Sequence, residues 1–124
     1  MLQTSDAVAI LAVRDLSVAR RFYADVLGFE LGESQDGIVE FRSGSTPVTL
    51  YESEYAGTNQ ANALVWGVGD AFDEVVGTLR DRGVTFERYD LPGLTLDGDV
   101  HVGEGFKGVW FKDPDGNILH INGH

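Results

Sequence analysis

Trp110-Phe111-Lys112-Asp113-Pro114-Asp115-Gly116-Asn117-Ile118-Leu119-His120-Ile121 reads as two strands joined by a turn. Its flanks are rich in apolar and aromatic residues, as strands are. In the middle, Asp113 can bond its own backbone two residues on, Pro114 presets φ for the second turn position, and Gly116 can take φ > 0. Together they predict a hairpin loop of about three to five residues. The exit strand alternates, with Ile118 and His120 on one face and Leu119 and Ile121 on the other. If Leu119 and Ile121 meet a core, His120 faces away from it, which makes it the first candidate for a functional side chain.

Upstream of the hairpin the chain repeats itself. Ala7 to Val13 is almost wholly apolar and reads as a buried strand. Asp15 stands where a helix N-cap is expected. Leu16, Ala19, Phe22, Tyr23 and Val26 then form one helical stripe, and Gly28 is a helix-ending glycine. Phe29 to Glu33, Gly37 to Arg42 and Val48 to Glu52 are short strand candidates, and residues 54–62 form a polar linker. Ala63 to Val68 starts the pattern again. Asp70 is a second cap, Phe72, Val75, Val76 and Leu79 a second stripe, and Gly83 a second stop. Asp15 and Asp70, Gly28 and Gly83, and Val13 and Val68 all stand 55 residues apart. Val84 to Tyr89 is expected as a strand. The offset then grows to 70 between Phe41 and Phe111, so the extra length of the second copy falls in the Gly-rich loop 91–107. The reading is an α+β chain, a single domain over residues 1–124 built from two tandem β-α-β-β-β modules, about 6–53 and about 61–124. Each module carries one helix on one face of a small sheet. The other faces are expected to join into a concave surface, the natural place for a site.

Bulk properties narrow the function. Twenty acidic against nine basic residues give a net charge of −11, which argues against nucleic acid as a partner, because such binding rests on Lys and Arg neutralising phosphate. The same charge suits a cationic ligand, though solubility alone also accounts for it. No cysteine is present, so disulfides, thiolate metal sites and a cysteine nucleophile are out. No basic segment followed by an apolar run opens the sequence, and no apolar run approaches a membrane span. A cytoplasmic protein with no membrane partner is expected.

The two β-α-β-β-β units, the phrase Asp15-Leu16 followed by Phe22-Tyr23-Ala24-Asp25-Val26-Leu27-Gly28-Phe29, and the Asp113-Pro114-Asp115-Gly116-Asn117 turn resemble the vicinal oxygen chelate superfamily over essentially the whole chain. That superfamily takes in glyoxalase I, bleomycin-resistance proteins, fosfomycin-resistance enzymes and extradiol dioxygenases. The resemblance implies a curved mixed sheet around a cavity, usually completed in a homodimer. In metal-dependent members four strand positions supply ligands, and here they fall on Val8, Thr49, Ala63 and His120. Val and Ala cannot bind a metal, and one imidazole does not make a divalent site. No metal and no cofactor is therefore expected, with a divalent metal held by a rearranged set of His120, His101 and Glu52 as the alternative.

Within the implied cavity, Tyr51 shares strand parity with Thr49, while Trp110 and Phe106 fall on the opposing hairpin strand. Aromatic walls suit a flat or cationic organic ligand. His120 would orient it or act as a base. His101 lies in the long Gly-rich loop, either as a solvated residue or on a lid. Trp66 is at odd parity to Ala63 and is expected to face the helices. Gly103-Glu104-Gly105-Phe106-Lys107-Gly108 matches the dinucleotide fingerprint, but no helix follows it, so it is rejected. The candidate ligand-binding set is His120, Tyr51, Trp110, Phe106, His101 and Thr49. No catalytic residue stands out, and whether the chain is an enzyme stays open. The leading expectation is a metal-free protein that binds a small organic molecule, like bleomycin-resistance proteins. The alternative is a metal-dependent glyoxalase-like lyase, isomerase or dioxygenase.

Overall fold

A computed structural model describes residues 1–124, which divide into two compact units, 1–58 and 59–124. The first unit contains β1 (Ala9–Val13), α1 (Leu16–Arg21), β2 (Glu30–Gln35), β3 (Ile38–Ser43) and β4 (Thr46–Glu52). Its sheet runs β1-β4-β3-β2, with β1 parallel to β4 and the remaining pairs antiparallel. Asp15 caps α1: its Oδ1 accepts from Ser17 N at 2.9 Å, Val18 N at 3.3 Å and Ser17 Oγ at 2.6 Å. The Ser17 hydroxyl above all, then the two amides, hold this carboxyl below the ordinary carboxylate range. The helix loosens into one π turn, Phe22–Val26, in which Leu27 N donates to Phe22 O, and the chain reverses at Gly28 with φ +76°. Ala19 and Tyr23 are wholly buried. The Tyr23 ring packs on Phe29 and Phe41 at 5.4 and 6.3 Å, over Leu11, Val13, Val39, Val48 and Leu50.

The second unit contains β5 (Asn62–Gly67), α2 (Phe72–Asp81), β6 (Thr95–Asp97), β7 (Val100–Gly103), β8 (Phe106–Lys112) and β9 (Ile118–Gly123). The order is β5-β9-β8-β7-β6, with β5 parallel to β9. Phe72, Val76 and Leu79 of α2 and Phe86 pack with Val109, Phe111, Leu119 and Ile121 of the sheet. Trp66 pairs with Ile121 and so lies on this helix-bearing face. One register serves both units: Ile10 pairs with Thr49 in the first, and Val65 with His120 in the second.

The turn that joins β8 to β9 is built as its residues dictate. Asp113 Oδ1 accepts from the amides of Asp115 and Asn117, both at 2.9 Å, and Oδ2 from Asn117 Nδ2 at 2.8 Å. Gly116 takes φ +96° and donates to Asp113 O.

Three expectations are corrected. Asp70 does not cap α2. Residues Gly69–Ala71 form a 3₁₀ turn, the cap position is Ala71, and the Asp70 carboxylate pairs with His124 at 2.9 Å. Val84 to Tyr89 is not a strand. β7 pairs with the first half of β8, and the irregular segment reaches β8 through Glu87 N donating to Trp110 O at 2.7 Å. The Gly-rich stretch 91–107 is not a plain loop, because it folds into the β6–β7 hairpin, with Gly98 (φ +64°) in its turn, and Gly105 (φ +67°) then turns the chain from β7 into β8.

Candidate functional site

The face of the second sheet turned away from α2 carries Phe106, Gly108 and Trp110 of β8, His120 of β9, His101 of β7, Leu96 of β6 and Val65 of β5, as their pairings require. Trp110 and His120 are direct cross-strand partners, and their rings stack at 4.1 Å with planes 15° apart. The His101 ring meets Trp110 edge-on at 4.7 Å. Phe106 lies tilted beside His120 at 6.4 Å. Tyr89 contacts Trp110 at 5.8 Å and His101 at 6.0 Å. Val65 and Leu96 leave large apolar side chains in the open, 60% and 46% exposed.

Hydrogen bonds set the state of both imidazoles. His120 Nδ1 lies 3.0 Å from Val109 O, a pure acceptor, so Nδ1 carries the proton. Nε2 is then free to accept from Asn122 Nδ2 at 3.3 Å. Tyr89 N donates to His101 Nε2 at 3.0 Å, which places the His101 proton on Nδ1. That Nδ1 is buried and meets no hydrogen-bond partner. Burial, reinforced by nearby His101 and opposed by the Val109 carbonyl, holds the His120 pKa below its ordinary value near 6.5. A neutral native imidazole with a depressed pKa contributes stability that is intact above the ordinary value and is lost as pH falls from there through the native pKa. Urea unfolding between about pH 7.5 and about pH 5.5 should therefore show falling stability in the wild type, with a shallower fall in His120→Phe. Equal slopes would remove His120 as a source of the pH dependence.

The second unit thus brings together four candidates, His120, Trp110, Phe106 and His101. His101 is no solvated loop residue, since it is 1% exposed on a strand. Thr49 and Tyr51 lie in the first unit, side by side on the face of β4 opposite Val48 and Leu50 and beside the 61% exposed Ile10. Tyr89, Gly108 and Asn122 were not among the candidates. Tyr89 owes its place to contacts made far along the chain, whereas Asn122, two residues beyond His120 on β9, shares its face by strand alternation. Gly108 could have been suspected as a small residue on the same face as Trp110. An open hollow of about 340 Å³ against α1, lined by Leu16, Ser17, Arg20, Arg21 and Val39, includes none of the candidates.

The residues at the four positions that the resemblance implies do not make a metal donor set. Val8, Thr49 and Ala63 offer no nitrogen or carboxylate donor, and His120 has Nδ1 engaged by Val109 O and its ring face covered by Trp110. Of the alternative trio, His101 and His120 stand on β7 and β9 of the second unit. No group of three His, Cys, Asp or Glu side chains in the chain is placed to hold a metal ion, and Glu52 ends β4 of the first unit.

Comparison with known proteins agrees with this architecture. Virulence protein STM3117 of Salmonella typhimurium strain LT2 is 22% identical over 120 residues, 91% of this chain and 79% of its own. The crystal structure of the fosfomycin resistance protein FosX from Listeria monocytogenes superposes with a TM-score of 0.71 at 14% identity, covering 98% of this chain and 93% of FosX. Lactoylglutathione lyase from Agrobacterium tumefaciens gives 0.69 at 21% identity, over 96% and 93%. TnmS3, an antibiotic binding protein from Streptomyces sp. CB03234, gives 0.63 at 22% identity, over 97% of each chain. No helix of the chain is long and apolar enough to cross a membrane. The profile that matches residues 5–121 is that of the Glyoxalase/Bleomycin resistance protein/Dioxygenase superfamily, and the chain belongs to that superfamily.

Proposed function

We propose that this chain binds a small aromatic organic molecule on the open face of its second sheet, and does so without the superfamily's metal. The carrying observation is the stacked Trp110–His120 pair, flanked by Phe106 and by the exposed Val65 and Leu96, in a strip that offers stacking surface but no metal donor set. Apolar surface covered there contributes about 25 cal/mol per Å². The indole N–H of Trp110 supplies orientation, and so does His120 Nε2 once Asn122 Nδ2 yields it to the ligand. TnmS3, with the same fold, is an antibiotic binding protein, which supports a small organic ligand. The net charge of −11 favours a cationic aromatic over an anionic one. The superfamily pattern supports a homodimer as the working form, which sedimentation equilibrium tests. The charge and the absence of cysteine are compatible with the cytoplasm, which fractionation tests.

The direct experiment is a thermal-shift screen of cationic and aromatic antibiotics, followed by calorimetry on the best binder. His120→Ala should weaken that binder by about tenfold, losing a stacking face and a polar contact, while circular dichroism stays that of the wild type. Unchanged affinity in His120→Ala would take His120 out of the site.

A further inference from the structure

All five residues that line the hollow against α1 belong to the first unit. It lies on the helix-bearing side of the first sheet, since its floor residue Val39 pairs with the buried Leu50. Thr49 and Tyr51 are on the other face of that sheet. The volume of about 340 Å³ falls at the small end of the roughly 300–1,000 Å³ typical of organic ligand sites. Leu16 and Val39 give the hollow apolar wall, and Arg20 and Arg21 give it two cations. Leu16 meets Arg20, and Ser17 meets Arg21, because residues four apart share a helix face. Two guanidiniums in one hollow are unexpected in a chain of net charge −11 with nine bases. Elsewhere bases are matched to acids: Arg80 to Asp99, Lys107 to Asp73 and Lys112 to Glu87. Arg20 has no ion pair and no side-chain hydrogen bond. Arg21 is partly matched, because its charge helps, after the Ser17 hydroxyl and the two amides, to hold the Asp15 carboxylate ionised. Ser17 brings no spare donor, since its hydroxyl and its amide both go to Asp15 Oδ1.

We infer that the hollow between α1 and β3 binds a small organic carboxylate, its apolar body against Leu16 and Val39 and its anionic group on Arg20. The planar guanidinium matches a carboxylate with two parallel N–H donors, and such charge-assisted bonds are the strong ones. Arg21 adds its field without being wholly free. A neutral molecule of the same shape gains the apolar contact alone, and a cation meets two like charges. The net charge of the chain repels an anion at a distance, but that field is screened within about 8 Å at physiological salt, so the two cations at hand decide. This is a second site, independent of the aromatic face of the second sheet, and it selects the opposite sign of ligand.

The test uses two probes of matched shape, 2-naphthoate, which is an anion, and 2-naphthamide, which is neutral. Binding is followed by calorimetry and by the amide resonances of Ser17, Ala19, Arg21 and Val39 in ¹H–¹⁵N spectra, with the Trp110 indole reporting on the other site. The wild type should prefer 2-naphthoate by about tenfold. Arg20→Gln should lose about tenfold in 2-naphthoate affinity and keep that for 2-naphthamide. Arg21→Gln, already shared with Asp15, should lose about threefold. Arg42→Gln removes the same charge from the opposite face of β3 and should change affinity by less than about twofold. Inorganic phosphate, an anion without an apolar body, should leave the Val39 amide unmoved at concentrations where 2-naphthoate saturates. A phosphate shift as large as that of 2-naphthoate overturns the carboxylate class. Equal affinity for the two probes in the wild type overturns the site without needing any variant, and so does an equal loss in Arg20→Gln and Arg42→Gln. If 2-naphthoate moves the Trp110 indole and leaves the α1 amides still, the hollow falls while the aromatic face of the second sheet stands. If it moves neither, the hollow falls as well.

Discussion

Replacing Asp113 by Ala is expected to destabilise the chain by about 3 kcal/mol. The Asp113 carboxylate is 4% exposed and accepts two backbone amides and the Asn117 side chain. Ala leaves the buried Asn117 amide and Nδ2 without these acceptors, and an unmade bond in the interior costs more than a made one returns. The loss also unpins the hairpin that sets the register of Trp110 against His120. Asp113→Asn keeps one oxygen and should fall between the two. Urea unfolding of the three proteins measures this, and a loss in Asp113→Ala of under about 1 kcal/mol would show that solvent replaces the carboxylate.

Gly123→Ala should cost a similar amount, about 3 kcal/mol, by crowding rather than by lost bonds. A Cβ there would collide with the carbonyl oxygen of Gly69 and stand 2.8 Å from Phe72 Cβ. Neither neighbour can yield cheaply. Gly69 O accepts the His124 amide, and Phe72, wholly buried, opens α2. Gly77→Ala is the control, because a Cβ at that helical glycine meets nothing within 4 Å. It should be neutral or stabilising, since Ala is the better helix former. Thermal unfolding that ranks Gly77→Ala below Gly123→Ala would refute the crowding argument.

These residues also mark how far the sequence could be read. The Asp113 turn, the Asp15 cap and the two apolar helical stripes are local, set by neighbours within four residues, and the structure has them as read. Elements whose fate depends on distant partners were not legible. Asp70 has the same spacing in its unit as Asp15, but Gly69 takes φ +55° and the carboxylate turns to His124, so the cap is lost. Val84 to Tyr89 has a strand's composition, yet β7 comes in to take the ladder beside β8. Glycines made 91–107 look like loop. A finer reading would have seen Thr95-Leu96-Asp97 answered by Val100-His101-Val102 across Gly98-Asp99. Strand alternation put His120 on the face away from the core, where the pairings have it, while the pairing of His101 with Gly108 was invisible. Nothing in one sequence says which glycine will lie opposite which histidine.

The outer strand of the first sheet, β2, is exposed along its whole length, and its pairing with β3 shifts between Leu31 and Ser34. An exposed strand edge is a template on which a second chain can add, and the usual route to fibrous aggregation. Here the irregular register breaks the row of free amides and carbonyls, and Glu30 and Glu33 put like charges on any incoming copy of the same strand. The second sheet solves the same problem by ending in the three-residue β6, too short to nucleate a ladder, whose hairpin is moored to α2 by Asp99 and Arg80. These two edges, β2 and β6, are thereby poor seeds for polymerisation.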